Sequence, residues 1–285
     1  MTALKKAMVV GAGGGLGRAF LSRLGGDVQV VPVYHGELDV SLRNDVLTRV
    51  GEIRPDVIFY AVGYADVDGC EVDRWRAYLS NRDGAEHLSR AAADVGALLV
   101  YPSSDLIFDG VRLVPYREED PPNPLSVYGD TKLAAELAVM SHAPRHLILR
   151  TGWFFGAYGR SIVNDILDAR RTEEVIFAFD DHRSQPTHQT DFVDAALELV
   201  RRGETGVWNV AGEGDATPYE VTCTVFEVLN VRSVEVKPLR RGAGHRAALR
   251  PRYSVLDGAK LRAAGIKMRP WKDALRGFLL EHARV

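Results

Sequence analysis

A glycine-rich turn, Gly11-Ala12-Gly13-Gly14-Gly15-Leu16-Gly17, constrains this chain more than any other feature. It follows a short apolar run at 7–10 that reads as a buried strand. It opens a stretch at 16–24 whose apolar spacing is helical. Gly11, Gly14 and Gly17 fall in the spacing G-x-x-G-x-x-G, and Gly15 and Leu16 complete the mouth of the helix. A strand that turns sharply into a helix here brings backbone N–H groups and the positive end of the helix dipole to one point. A Cβ would hold an anion away from that point. The bland alternative, a tight turn with no ligand, is disfavoured because strand, turn and helix come in the right order. The turn therefore commits the chain to an α/β fold with a place for a pyrophosphate.

The same alternation continues for 150 residues, the pattern of βαβ units. Residues 28–33, 56–60, 97–101 and 146–150 read as strands. Residues 41–50 read as a helix with Ser41 as its N-cap, 75–95 as one helix carrying Leu79, Leu88 and Ala92, and 126–140 as another. After Arg150 the pattern loosens. Helices are expected at 161–171, 190–202 and 218–229, a strand at 207–210, and a short helix near the C-terminus. The expected architecture is a Rossmann-type doubly wound parallel sheet in residues 1–150, the dinucleotide-binding domain. Residues 151–285 form a smaller C-terminal substrate-binding region packed on it, some of whose segments return to the sheet.

Composition bounds the partners. With 285 residues, 46% of them hydrophobic, a sizeable core is available. The 36 basic and 38 acidic side chains nearly cancel, so no field is built for nucleic acid or an anionic membrane. No apolar run approaches the ~20 residues a membrane helix needs, and the first six residues lack the apolar core of a leader. Cys70 and Cys223 follow no metal spacing and suit a reducing compartment. A cytoplasmic protein is expected.

The chemistry is carried by Tyr128 and Lys132, four residues apart on one helical face. A ketone accepts hydride readily when its oxygen gains a proton or strong hydrogen bonds as charge develops. Free tyrosine, with a pKa near ~10, is a poor acid–base group, and a neighbouring ammonium is expected to lower it. The fourth strand runs into Tyr101-Pro102-Ser103-Ser104-Asp105, on the side of a parallel sheet where ligands bind. Ser104 is the candidate for a supporting hydroxyl, with Ser103 in reserve. The second strand ends Val33-Tyr34-His35-Gly36, with no carboxylate for a ribose until Glu37, and Arg18 could bind a phosphate or be a solvated helix residue. NADPH is favoured over NADH as cofactor. Asp39 and Val40 lie where such sheets hold the adenine edge, although Asp39 could equally begin the next helix.

Together these residues resemble the extended short-chain dehydrogenase/reductase family and, within it, the dTDP-4-dehydrorhamnose reductases, over nearly the whole chain. Gly63-Tyr64-Ala65-Asp66-Val67-Asp68 is similar to the family's loop after the third strand. Ser103-Ser104-Asp105-Leu106-Ile107-Phe108-Asp109-Gly110 resembles S-T-D-Y-V-F-D-G, and Tyr128-Gly129-Asp130-Thr131-Lys132 follows in order. Arg150-Thr151-Gly152-Trp153 resembles R-T-S-W; Asp181, Pro186 and Thr187 resemble D-Q-x-G-x-P-T; Arg250-Pro251 resembles a late R-P. The resemblance implies that Tyr128 protonates a 4-keto oxygen, Ser104 hydrogen-bonds it, and Lys132 binds the nicotinamide ribose. It implies cofactor contacts at Ala61, Val62 and Gly63, and a sugar pocket bordered by Ser104, Asp105 and Trp153. Asn81 matches an asparagine of the central helix, ordering backbone or water near the lysine or serving as a buried structural amide. Arg250 is a candidate for the diphosphate of a nucleotide-sugar, with Arg240, Arg241 and Arg246 nearby. A homodimer is compatible with the family, and no residue cluster has metal-ligand spacing.

The chain departs from the pattern at Leu106, Ala65, Tyr60 and His182, all where substrate or nicotinamide would be sensed. The expected activity is NAD(P)H-dependent reduction of the 4-keto group of a nucleotide-linked 6-deoxyhexose. Two alternatives stay open: a non-catalytic regulatory subunit resembling that of methionine adenosyltransferase, and an epimerase or dehydratase that recycles its nicotinamide.

Overall fold

β1 (Lys6–Val10) is buried over four of its five residues, with Ala7 and Val9 on one side of a sheet and Met8 and Val10 on the other. In this computed structural model, which describes residues 4–240 and 247–282, the chain continues through α1 (Gly15–Arg23), β2 (Gln29–Val33), α2 (Arg43–Ile53) and β3 (Val57–Tyr60). Next come α3 (Val67–Val72), α4 (Arg74–Tyr78), α5 (Gly84–Val95), β4 (Leu98–Pro102), α6 (Val127–His142) and β5 (His146–Arg150). Beyond β5 lie β6 (Phe154–Phe155), α7 (Ile162–Ala169), β7 (Val175–Phe179), β8 (Thr187–His188), α8 (Gln189–Arg202) and β9 (Gly206–Asn209). The last elements are α9 (Pro218–Val228), β10 (Glu235–Leu239), α10 (Ala259–Ala263) and α11 (Trp271–His282).

The main sheet has the order β2-β1-β3-β4-β5-β9, all parallel. Period-two alternation sends Val57, Phe59, Val100 and Leu149 toward α1 and α8, and Ile58, Leu99, Tyr101 and Ile148 toward α2, α5 and α6. A sheet apolar on both faces must be covered on both, which gives three layers. The chain leaves β1 toward β2 and then crosses back to β3. This reversal opens a crevice above the carboxyl ends of β1 and β3, the place where such sheets bind ligands.

The C-terminal region divides. β9 joins the sheet beside β5, and α8 packs on α1. α7, α9 and α11 form a separate apolar cluster around Phe155, Phe226, Trp271 and Phe278, flanked by two-stranded pairs β7–β10 and β6–β8.

Two expectations are corrected, and two strands appear that the sequence reading did not include. The helix read at 75–95 is broken by a π turn at Leu79–Asp83, where the Ser80 carbonyl accepts from the Tyr60 hydroxyl at 2.9 Å. Ser41 is not an N-cap: its N–H and hydroxyl both donate to Asp39, and α2 starts after Leu42. Strands β7 and β10 escape a reading of apolar alternation because Val175–Phe179 is apolar throughout, with Phe177 exposed, and Glu235–Leu239 carries a glutamate, a lysine and a proline.

α6 starts where it does because Ser126 caps it, its hydroxyl accepting from the Gly129 N–H at 3.2 Å. Gly129 then lets the helix meet the chain after β4 backbone to backbone. A Cβ on Gly129 would lie 2.2 Å from the Leu106 carbonyl oxygen and 3.0 Å from Pro124 Cβ. Gly129→Ala is therefore expected to cost about 1–3 kcal/mol through overpacking. Gly25→Ala, where a Cβ meets nothing within 4 Å, should stay within about 0.5 kcal/mol. Urea unfolding midpoints check both, and equal midpoints would contradict the close approach.

Candidate active site

The end of β4 and the first turns of α6 are brought together by the contact at Gly129. Beyond the strand, the N–H groups of Ser103 and Asp105 still pair with Leu149 and Thr151 carbonyls, so 103–105 is held as an extension of the sheet. Ser104 is fixed by the Leu106 N–H, which donates to its hydroxyl at 3.1 Å. It lines the same cleft of about 440 Å³ as Tyr128, Lys132, Asn81 and Trp153, close enough to the Tyr128 phenol to draw its pKa down. Ser103 lines it as well, with its hydroxyl buried and without a hydrogen-bond partner among the described residues. Of the two serines, Ser104 is the one that engages the tyrosine.

Lys132 is buried. Its Nζ donates to the Pro102 carbonyl at 2.6 Å and sits 4.2 Å from the centre of the Tyr101 ring. Burial pulls its pKa down to about 7, opposed by the charge of Glu136 one turn further along α6. Glu136 is itself fully buried and is gripped by Arg150, with Nε–Oε1 at 3.0 Å and Nη2–Oε2 at 2.8 Å. Neither Glu136 nor Arg150 was singled out for a role in tuning the lysine. The i,i+4 spacing of Lys132 and Glu136 is the signal that would have found the first.

Sequence reasoning expected Lys132 to acidify Tyr128. The structure places the tyrosine differently: burial, then the charge of Asp105, push its phenol well above the usual range, and only the bond to Ser104 draws it back. Asp105 is buried, with no cation paired to it among the described residues. It accepts from the hydroxyls of Ser184, Ser254 and Ser104, which partly offset the rise in its pKa that burial causes. Tyr128 is thereby held as a phenol, the form that donates a proton. Asn81 serves as a clamp between elements. Its amide exchanges two hydrogen bonds with the Tyr64 backbone and donates to the Thr131 hydroxyl at 2.9 Å, tying the loop after β3 to α6.

The glycine turn borders the other end of the cleft. Gly11 has φ +86°, its N–H and that of Ala12 donate to the Val33 carbonyl, and Arg18 N–H to Gly14 O closes the first helical turn. A Cβ on Gly17 would lie 2.1 Å from Gly11 O, so only glycine brings helix and strand this close. Gly14, Gly15 and Leu16 line the cleft with Ala61, Val62 and Gly63. N–H groups of a first helical turn have no intrahelical acceptor, and α1 has no side-chain cap. Across the turn stand Tyr158, Gly159, Arg160 and Gln189, which no motif announced. The Gln189 Nε2 donates to Tyr158 O at 3.0 Å, and its Oε1 is buried and unpartnered among the described residues. A cradle that a Cβ would fill, with orphaned polar atoms at Gln189 and Ser103, fits a dinucleotide.

Some expected contacts lie elsewhere. Arg18 is exposed on α1 and Val40 is buried against α5; Asp39 is exposed and held by Ser41. None of the three lines the cleft. Glu37 folds back so that its carboxylate accepts from the Tyr34 N–H at 2.8 Å. Trp153 meets His182 edge-on, centroids 5.4 Å apart. Arg250 borders an adjoining cavity but is paired with Asp68 at 2.8 Å and with Ala248 O. A diphosphate there would have to compete with that carboxylate. Arg241 and Arg246 lie outside the described residues. Among those residues no group of three His, Cys, Asp or Glu could hold a metal ion, and no helix is long and apolar enough to cross a membrane.

A family profile described as RmlD substrate binding domain matches residues 5–284. A dTDP-4-dehydrorhamnose reductase of Streptomyces griseus is 34% identical, the match covering 94% of this chain and 91% of that protein. A dTDP-4-keto-6-deoxy-D-glucose reductase of Streptomyces niveus is 32% identical, covering 94% of each. The crystal structure of a dTDP-4-dehydrorhamnose reductase from Bacillus anthracis in complex with NADP superposes with a TM-score of 0.94 at 31% identity, covering 98% of this chain and 99% of that one.

The depressed lysine sets a pH dependence of stability. Below pH 7 Lys132 is charged in both folded and unfolded chains. Between about 7 and 10.5 the unfolded chain keeps a proton that the folded one has released, so stability contributed by this group rises with pH. Relative to Lys132→Met, the cofactor-free protein should gain stability across that window, with a slope approaching ~1.4 kcal/mol per pH unit. Denaturant titrations at pH 6, 8 and 10 measure it, and a difference that stays flat would contradict the assigned burial.

Proposed function

The chain belongs to the RmlD substrate binding domain family, and from that premise we propose that it reduces the 4-keto group of a nucleotide-linked 6-deoxyhexose with NADPH. The observation that carries this reading is the convergence of Ser104, Tyr128 and Lys132 on one cleft with the glycine turn. When bound, NADPH supplies the hydride. Gly15 and Leu16 would hold the pyrophosphate through their backbone N–H groups, beside a Gly14 whose own N–H is given to the Gly11 carbonyl, and Ala61, Val62 and Gly63 line the same cleft. Ser104 hydrogen-bonds the keto oxygen, and Tyr128 transfers its proton there as negative charge develops. A raised phenol pKa does not forbid this, because an alkoxide is a stronger base than a phenolate. It also keeps Tyr128 in the donor form. Lys132 would hold the nicotinamide ribose, with Glu136 favouring the charged ammonium.

Trp153 offers a flat face to the sugar, and Asp105 holds Ser104 in place. Residues 1–150 then serve mainly the cofactor and 151–285 mainly the sugar. Cytoplasmic residence and a homodimer belong to the same reading; light scattering on the purified chain tests the second. A non-catalytic role is disfavoured by the complete Ser–Tyr–Lys set, and an epimerase or dehydratase would leave NADPH unconsumed.

Purified protein with NADPH and dTDP-4-keto-6-deoxyglucose, with and without a 3,5-epimerase, is expected to deplete the reduced-nicotinamide absorbance. Tyr128→Phe should lower that rate roughly 10²–10⁴-fold while NADPH binding, followed by its fluorescence, is retained. Tight NADPH binding without consumption on any 4-ketohexose would overturn the reading.

A further inference from the structure

Tyr128 is flanked along α6 by two residues that other parts of the chain hold. After it, Gly129 meets the Leu106 carbonyl in the close approach described above. Before it, the N–H of Val127, the first residue of α6, donates to Glu71 Oε1 at 2.8 Å. Glu71 belongs to α3, 56 residues away, and no motif announced it. We propose that Glu71 is a positioning residue for the reduction: it grips the leading turn of α6 so that the Tyr128 phenol stands within reach of the keto oxygen beside Ser104. The proposal rests on the ketoreductase reading above and adds a residue to it.

The leading N–H groups of a helix have no intrahelical acceptor. Ser126 satisfies that of Gly129, but a cap belonging to the same turn cannot fix the helix against another element. Apolar packing fixes it only loosely. Val127 is buried with Cys70 and Ala77, and Tyr64, Tyr78 and Tyr128 pack around them. Such contacts are non-directional, so a helix end held by them can pivot about a single close approach. A hydrogen bond is directional. One from a backbone N–H at the positive end of a helix to a carboxylate is also stronger than a neutral pair. Glu71 therefore supplies a second fixed point, on the other side of Tyr128 in sequence from Gly129.

Glu71 can serve in this way because α3 is itself tied down. Asp66 caps it, its side chain accepting from the Gly69 N–H at 3.0 Å. The preceding Tyr64 N–H donates to Asn81 at 2.8 Å. Ala65 and Val67 line the cleft, and Asp68 pairs with Arg250. α3 thus stands between the cleft and the helix bearing Tyr128, and Glu71 carries its position to α6. Proton transfer needs heavy atoms within about 2.6–3.2 Å of each other. A small drift of the helix start therefore costs rate, while the glycine turn at the other end of the cleft is untouched.

The test uses the full chain, NADPH and dTDP-4-keto-6-deoxyglucose in whichever form, epimerised or not, the native chain reduces. It reads the single-turnover rate, the NADPH dissociation constant and the thermal midpoint together. Glu71→Ala is expected to lower the single-turnover rate roughly 10–100-fold with NADPH binding unchanged. Glu71→Gln, which keeps an oxygen acceptor at the same reach, should restore most of that rate. Glu71→Asp keeps the charge but shortens the side chain; it should lower the rate severalfold, and it decides the matter with Glu71→Gln if Glu71→Ala fails to fold. Asp73 caps neighbouring α4, its side chain accepting from the Arg76 N–H at 3.0 Å. Asp73→Ala should lower the thermal midpoint and leave the rate alone. A native rate in Glu71→Ala or Glu71→Asp, a rate in Glu71→Gln no better than in Glu71→Ala, or an equal loss in Asp73→Ala would overturn the proposal and leave the ketoreductase reading intact. No turnover by the native chain, with NADPH still bound, would overturn both.

Discussion

The site depends on a backbone-to-backbone contact: the start of α6 presses against the chain leaving β4, with Gly129 facing the Leu106 carbonyl closely enough to leave no room for a Cβ. Both elements are rigid, one paired into a six-stranded sheet and the other a helix of 16 residues. Holding them at this separation fixes Ser104 relative to Tyr128. It also lets Lys132, on the same helical face, drop onto Pro102 at the end of β4. The cofactor end follows a similar logic, since Gly17 lets α1 close on the turn from β1. Two backbone contacts thus define the two ends of one cleft.

Around this frame the charges are arranged with few direct pairs. Asp105 is surrounded by the hydroxyls of Ser104, Ser184 and Ser254, and its charge helps to keep Tyr128 protonated. Lys132 faces a carbonyl and an aromatic ring, and its counter-charge, Glu136, is shared with Arg150. A fully satisfied Arg150–Glu136 pair costs less than a broken one, since removing either partner strands a buried charge. Such an arrangement leaves the lysine poised near neutrality.

Much of this was legible in the chain itself. The glycine turn, four of the strands that follow it and the helix bearing Tyr128 and Lys132 show in local spacing, because turns, caps and apolar period act over a few residues. The choice of Ser104 over Ser103 followed from position at a strand end. What escaped depends on contacts between distant segments. The loop at 158–160 meets the glycine turn only after the fold closes, and the pairing of Arg250 with Asp68 spans 182 residues. The tuning of Tyr128 reversed the expected direction because burial and the charge of Asp105 raise its pKa, an effect set by depth rather than by spacing. The π turn at Leu79–Asp83 likewise depends on Tyr60 and Asn81 docking into other elements.

The central claim is that hydride passes from the nicotinamide to the carbonyl carbon while Tyr128 supplies the proton. Its most direct test uses NADPH deuterated at C4 of the nicotinamide ring, a dTDP-4-ketohexose, and mass spectrometry with NMR of the product. One deuterium on the new carbinol carbon, lost together with turnover in Tyr128→Phe, is the predicted result. Product that forms without deuterium at that carbon, or an altered sugar with the cofactor unconsumed, would contradict it.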